Sequence, residues 1–170
     1  MLLTKQQKYL LAVLEKLGCA ELRQIAALLQ KAFAFSAFDD AMRVTNACVQ
    51  QMRSGGLLQI SEDGIVYVYD YVNKEMLNAI AVMLELSAAQ PENFCAVDRH
   101  ILLRFSLGEP GFKQFAIVSG SDPPPEREIR QDEKIIVLLP NGAKSELSYT
   151  RPVILAIRQE NGTHRFFARK

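Results

Sequence analysis

The sequence predicts an α+β fold in which three short helices run into a β-hairpin, an apolar helix follows, and a mixed α/β lobe completes the chain. Three observations predict it. Apolar residues recur at helical spacing in three blocks before residue 54. Ser54-Gly55-Gly56-Leu57-Leu58 then halts the third block, and a short hairpin turns at Glu62-Asp63-Gly64. Beyond Pro91 the pattern changes to β-rich runs separated by turn residues.

The first helix opens on Thr4 and Gln7, which have the spacing of a capping box, and carries Leu10, Val13, Leu14 and Leu17 on one face before Gly18. A second helix runs from about Glu21, with Leu22, Ile25, Leu28 and Leu29 as its inward stripe. Phe33, Phe35 and Phe38 surround the loop that follows, either to plug the core beneath it or to form an exposed aromatic platform. Ser36 with Asp39 has capping-box spacing for the third helix, whose inward stripe is Ala41, Thr45, Cys48, Val49 and Met52. Leu57, Leu58 and Ile60 begin the hairpin and Ile65 to Tyr69 return it. This order over residues 1–72 is that of a winged helix-turn-helix, whose third helix usually enters the major groove of DNA.

Residues 73–90 form the connecting helix, capped by Asn73. Between Met76 and Leu86 only Asn78 and Glu85 are strongly polar, so it must be covered on more than one side. It is either a central helix between two lobes or a dimer seam. Residues 91–170 form an α+β lobe with a mainly antiparallel sheet. Its strands are expected at Ile101 to Leu107, Phe112 to Ser119, Lys134 to Leu139, Val153 to Arg158 and Thr163 to Ala168. Leu107-Gly108-Glu109-Pro110-Gly111 and Asn161-Gly162 mark turns. The all-apolar run Ile135 to Leu139 marks a central strand, and the charged stretch Glu126 to Glu133 a short surface helix.

Formal net charge is +1, and the first 72 residues carry seven basic and seven acidic side chains, so counterion release would give little non-specific DNA affinity. Cys19, Cys48 and Cys95 have no pairing or C-x-x-C spacing and are expected as small buried hydrophobes. No apolar run reaches the roughly 20 residues of a membrane span, and the N-terminus does not read as a signal peptide. A cytoplasmic protein with no membrane partner is expected.

The outward face of the third helix carries Arg43, Asn46, Gln50 and Arg53, with Ala47 leaving room for close approach. Arg bonds guanine bidentately and Asn or Gln bonds adenine, so these four are the expected contacts to double-stranded DNA. The hairpin tip reads Ser61-Glu62-Asp63-Gly64, and its carboxylates would be repelled by phosphate. Such a tip suits a protein contact.

Other chemistry has less support. Asp132-Glu133-Lys134, with Asp98 or Asp122 as a first acid, has the spacing of a metal-dependent nuclease, but also reads as a solvated charged turn. His100 and His164 have no nucleophile motif or metal-ligand cluster beside them. No catalytic residue, metal or cofactor is therefore assigned. The stretch Thr163 to Lys170 is basic with paired aromatics, a minor nucleic-acid candidate.

Leu3-Thr4-Lys5-Gln6-Gln7, the Cys19-Ala20 junction and the run Arg53 to Leu58 together give a resemblance. The chain resembles uncharacterised winged-helix proteins of plasmids and integrative elements of Gram-positive bacteria, and is similar to replication-relaxation proteins. The resemblance implies a DNA-associated accessory role in replication, transfer or transcription of a mobile element. The expected function is a non-enzymatic DNA-binding or regulatory protein. The alternative is an interaction or homodimerisation module built on the same scaffold.

Overall fold

The computed structural model describes residues 2–69, 71–108, 111–140, 143 and 147–169. Contacts divide the chain into two units, Met1–Leu77 and Asn78–Lys170, with the boundary inside the fourth helix. The fold is mixed α+β, with four α-helices and two sheets among the described residues.

The first unit contains α1 (Lys5–Leu17), β1 (Cys19–Glu21), α2 (Leu22–Ala32), α3 (Phe38–Ser54), β2 (Gln59–Ile60) and β3 (Ile65–Tyr67). Thr4 and Gln7 form the expected reciprocal cap, the Gln7 N–H donating to Thr4 Oγ1 at 3.2 Å and the Thr4 N–H to Gln7 Oε1 at 2.9 Å. The cap expected of Ser36 and Asp39 does not form. Helix α3 starts one residue later, with Ala37 at the N-cap and no side-chain cap bond. Asp39 and Asp40 in its first turn interact instead with the positive end of the helix dipole.

At its other end α3 closes in a Schellman motif. The Leu57 N–H reaches the Met52 carbonyl at 2.9 Å and the Gly56 N–H reaches Arg53 at 3.0 Å. Gly56 has φ +72°, which explains a glycine there. The hairpin β2–β3 gains a third strand that the sequence did not suggest. Strand β1 pairs antiparallel with β3, Ala20 opposite Val66, giving the order β1-β3-β2.

Leu10, Leu14, Ile25, Leu28, Leu29 and Met52 are among the largest fully buried side chains of this unit, each contributing about 1.5–3 kcal/mol of apolar transfer. Phe33, Phe35 and Phe38 are half-buried, and so form neither a full plug nor an open platform. Tyr9 meets Phe33 edge-on at 5.6 Å. The buried Gln24 amide donates to the Leu77 carbonyl at 2.7 Å.

Helix α4 (Lys74–Leu86) is capped by Asn73, whose Oδ1 accepts from the N–H groups of Glu75 and Met76 at 3.0 and 3.2 Å. Met76, Leu77, Ala79, Ile80, Val82 and Met83 are all buried. Then come β4 (Glu92–Ala96), β5 (Ile101–Leu107), β6 (Lys113–Ser119), β7 (Glu133–Leu139), β8 (Val153–Arg158) and β9 (His164–Arg169). They form one sheet in chain order. Its β6–β7 and β7–β8 pairings are parallel and the other three antiparallel.

Ile135 to Leu139 are all buried, as a central strand requires. The Asn161-Gly162 hairpin joins β8 to β9 with Gly162 at φ +84°. Glu109 and Pro110 of the other expected turn lie outside the described residues.

The parallel steps need long crossovers. In the first, the charged stretch supplies only a single 3₁₀ turn, Glu126–Glu128, rather than a surface helix, and anchors itself by burying Ile129. Ile129 joins Ile101, Ala116, Val118, Ile135, Val137 and Val153 in one core cluster. Arg151 clamps this crossover. Its guanidinium donates to Glu126 Oε1 at 3.0 Å and to the carbonyls of Arg130 and Gln131 at 2.9 and 3.2 Å. The Tyr149 hydroxyl adds a bond to the Pro124 carbonyl at 2.8 Å.

Candidate functional site

Helix α3 is held by the inward stripe the sequence predicts: Ala41, Thr45, Cys48, Val49 and Met52 are all buried. The Gln7 amide on α1 fixes it from the side by donating to Gln51 Oε1 at 2.8 Å. Its opposite face is open. Arg43, Asn46, Ala47, Gln50 and Arg53 are all exposed. At 3.6 residues per turn the four polar side chains span an arc of roughly 80° and about 15 Å of helix axis. A row of that length suits several successive base edges or an elongated protein surface.

Charge along the row is uneven. Arg43 pairs with Asp40 one turn earlier, with both side chains largely in water (80% and 46% exposed), so the pair is weak and breaks readily for a better acceptor. The exposed Asp39 lies on the same arc by helical spacing. Arg53 stands in the last turn, where the helix dipole favours a cation. The N-terminal end of the row is therefore mixed in charge and its C-terminal end cationic.

The hairpin tip, which meets Leu22 at the start of α2 through the Gly64 carbonyl, is a tight turn. The Gly64 N–H donates to the Ser61 carbonyl at 3.0 Å, and the Ser61 N–H to the Ile65 carbonyl at 2.9 Å. Gly64 has φ +77°, and Glu62 and Asp63 are exposed. Burial pushes the Cys19 and Cys48 thiols up, with a bond from Cys19 to the Asn73 carbonyl acting weakly against it, so neither is a ready thiolate. Cys95, expected to be buried, is exposed on β4.

In the second unit, the triplet Asp132-Glu133-Lys134 separates. Glu133 is buried against Arg104, while Asp132 and Lys134 are exposed. Asp98 spends its carboxylate on a turn, accepting from the N–H groups of His100 and Ile101 at 2.7 Å each. Burial, the largest influence on Asp98, raises its pKa, but those bonds and the charges of His100 and Arg104 together hold it below the usual carboxylate range. Among the described residues no three His, Cys, Asp or Glu side chains are grouped to hold a metal ion.

Two arrangements here escaped the sequence. Arg104 and Glu133 line a half-open cleft of about 190 Å³ with Ser106, Phe112, Gln114 and Arg130. His164 is buried with Nδ1 2.9 Å from Glu85 Oε1 and Nε2 without a partner. Both join residues far apart in the chain, and no local spacing signals them. Among the described residues no helix is long and apolar enough to cross a membrane.

No family model, curated protein or solved structure matches this chain.

Proposed function

We propose that the first unit is a winged helix-turn-helix that binds double-stranded DNA through α3, and that the chain is a non-enzymatic, cytoplasmic DNA-binding or regulatory protein. The observation that carries this is the exposed row Arg43, Asn46, Gln50 and Arg53 on one arc of the helix that precedes the hairpin. In this arrangement α3 lies in the major groove. Asn46 and Gln50 read adenine edges, and the two arginines read guanine or hold phosphate. An accessory role on a mobile element follows from the likeness of Leu3 to Gln7 and Arg53 to Leu58 to such proteins. Duplex binding titrated with salt tests the proposal. Arg43→Ala with Arg53→Ala should weaken binding and reduce the slope of log K against log salt by up to about 1.8, near 0.9 per lost phosphate contact. An unchanged slope and affinity would remove the row from the account.

A second function is favoured by the acidic tip. Glu62 and Asp63, with Asp39 on the α3 arc, suit a basic protein partner better than phosphate. In this version the winged-helix scaffold is an interaction module, and the apolar α4 serves a partner or a second copy. Light scattering at high concentration that shows only monomers would dispose of the homodimer.

A further inference from the structure

We propose that the edge strand β9 carries a second nucleic-acid contact, specific for unpaired strands and built on Phe167 and Arg165. It lies in the other unit from α3 and requires nothing of the duplex-binding proposal. Residues alternate faces along a strand, so Arg165, Phe167 and Arg169 share one face at intervals of about 6.8 Å. Their cross-strand neighbours on β8 are Ile157, Leu155 and Val153. Leu155 and Ile157 are half-buried, whereas Phe167 keeps 44% of its surface in water. Arg165 lies over one face of the ring, its guanidinium carbon 5.7 Å from the ring centre, which leaves the other face for a base. A cation and an exposed aromatic face thus lie within one nucleotide's reach of each other.

Charge decides the occupant. From Thr163 to Arg169 the strand has no acidic residue of its own. Glu85 meets it at His164, which alternates to the other face from Arg165 and Phe167, so the Arg165–Phe167 face attracts an anion. Exposed arginines on an edge strand discourage a further β-strand from pairing there, which disfavours a second copy of this chain. An acidic peptide would satisfy Arg165 but leave the ring unused. A single-stranded nucleic acid satisfies both, because an unpaired base stacks on Phe167 while the adjoining phosphate meets Arg165. A duplex does not, since its bases are already stacked.

The test is fluorescence anisotropy of a labelled twelve-residue oligothymidylate with the full chain at low salt. The wild-type protein should bind it. Phe167→Ala should weaken binding roughly 5- to 150-fold, the range that corresponds to loss of one stacked base. Phe167→Tyr keeps the ring and should retain binding, which separates stacking from any folding defect. Arg165→Gln should reduce the salt slope by about 0.7. Phe166→Ala, on the opposite face, should change nothing. The Arg43→Ala, Arg53→Ala variant should bind the oligonucleotide normally whatever it does to duplex, so the two proposals fail separately. The proposal is overturned if the wild type does not bind, if Phe167→Ala binds as well as Phe167→Tyr, or if a poly-glutamate peptide competes as strongly as the oligonucleotide.

Discussion

Arg104 Nε lies 2.8 Å from Glu133 Oε1, the arginine reaching from β5 across β6 to β7. Ala116 is Arg104's direct neighbour on the intervening strand and leaves room for the crossing. The pair is enclosed, with 19% of the arginine side chain and 2% of the glutamate side chain exposed. Glu133 Oε2 also accepts the Arg130 N–H at 3.1 Å, and Arg104 donates to the Glu128 carbonyl at 3.1 Å. The Glu133 carboxylate is thus engaged by Arg104 and by the turn at Arg130.

Removing one partner of such a pair strands the other charge. Glu133→Ala should therefore destabilise the second unit by about 3–5 kcal/mol, whereas Arg104→Met with Glu133→Leu should recover most of that loss. Urea denaturation of the three proteins measures it. Equal losses for the single and double variants would show that the charges themselves, rather than their imbalance, hold the crossover.

The clamp around Glu126 predicts two pH limbs. The Thr150 N–H, followed by its hydroxyl and by Arg151, holds the Glu126 carboxyl below its ordinary 4.5. A depressed carboxyl stabilises the fold above its unfolded pKa and loses that contribution as pH falls through the folded value. Glu126→Gln should flatten the decline in stability below pH about 4.5.

Tyr149 behaves oppositely: burial, then the Glu126 charge, pushes its phenol from 10.0 up to about 12. Its contribution is complete below 10.0 and disappears as pH rises to about 12. Tyr149→Phe should cost about 1 kcal/mol at neutral pH for the lost bond to Pro124, and should shrink the alkaline decline. Urea midpoints against pH test both, and parallel curves for variant and wild type would refute them.

The elements that were legible in the sequence are those whose causes are local. Thr4 with Gln7, Asn73 before α4 and the buried stripe of α3 all act over a turn or two of helix. Ile101–Leu107 and Val153–Arg158 occupy the spans their β-rich composition indicates. Strand β1 is only three residues long and exists because β3 is available to pair with it, which no local pattern records. The parallel steps were hidden for a related reason. A parallel connection is normally announced by a crossover helix, and here Glu126 to Glu133 crosses with Ile129 as its anchor instead. For the candidate site, spacing placed Arg43, Asn46, Gln50 and Arg53 on one exposed arc. It did not expose the Asp40 pairing that occupies Arg43.

Two glycines separate backbone strain from steric overlap. Gly56 sits at φ +72° with open space where a Cβ would project, so Gly56→Ala should cost only about 1–2 kcal/mol of backbone strain. At Gly120 a Cβ would come 2.4 Å from the Leu138 carbonyl oxygen on the neighbouring strand. Gly120 also donates its N–H to that carbonyl at 2.9 Å. Gly120→Ala must therefore push β6 and β7 apart and should be the more damaging substitution by a clear margin. Thermal denaturation ranks them, and a larger loss at Gly56 would contradict this account of the crossover.

The hairpin tip offers a gain-of-function test of the α3 proposal. Glu62 is exposed and makes none of the turn's backbone bonds through its side chain, so Glu62→Lys should leave the fold intact. If α3 lies in the major groove, the tip lies near the adjoining phosphates, where the wild-type carboxylate opposes binding and a lysine assists it. Affinity for duplex should rise, and the salt slope should steepen by about 0.9 for one new phosphate contact. If the tip instead faces a basic protein partner, the same substitution weakens that complex and leaves duplex binding untouched. Duplex titration of Glu62→Lys beside Arg43→Ala therefore distinguishes the two functions: opposite changes in slope support the groove, and an effect of neither substitution assigns the surface to protein.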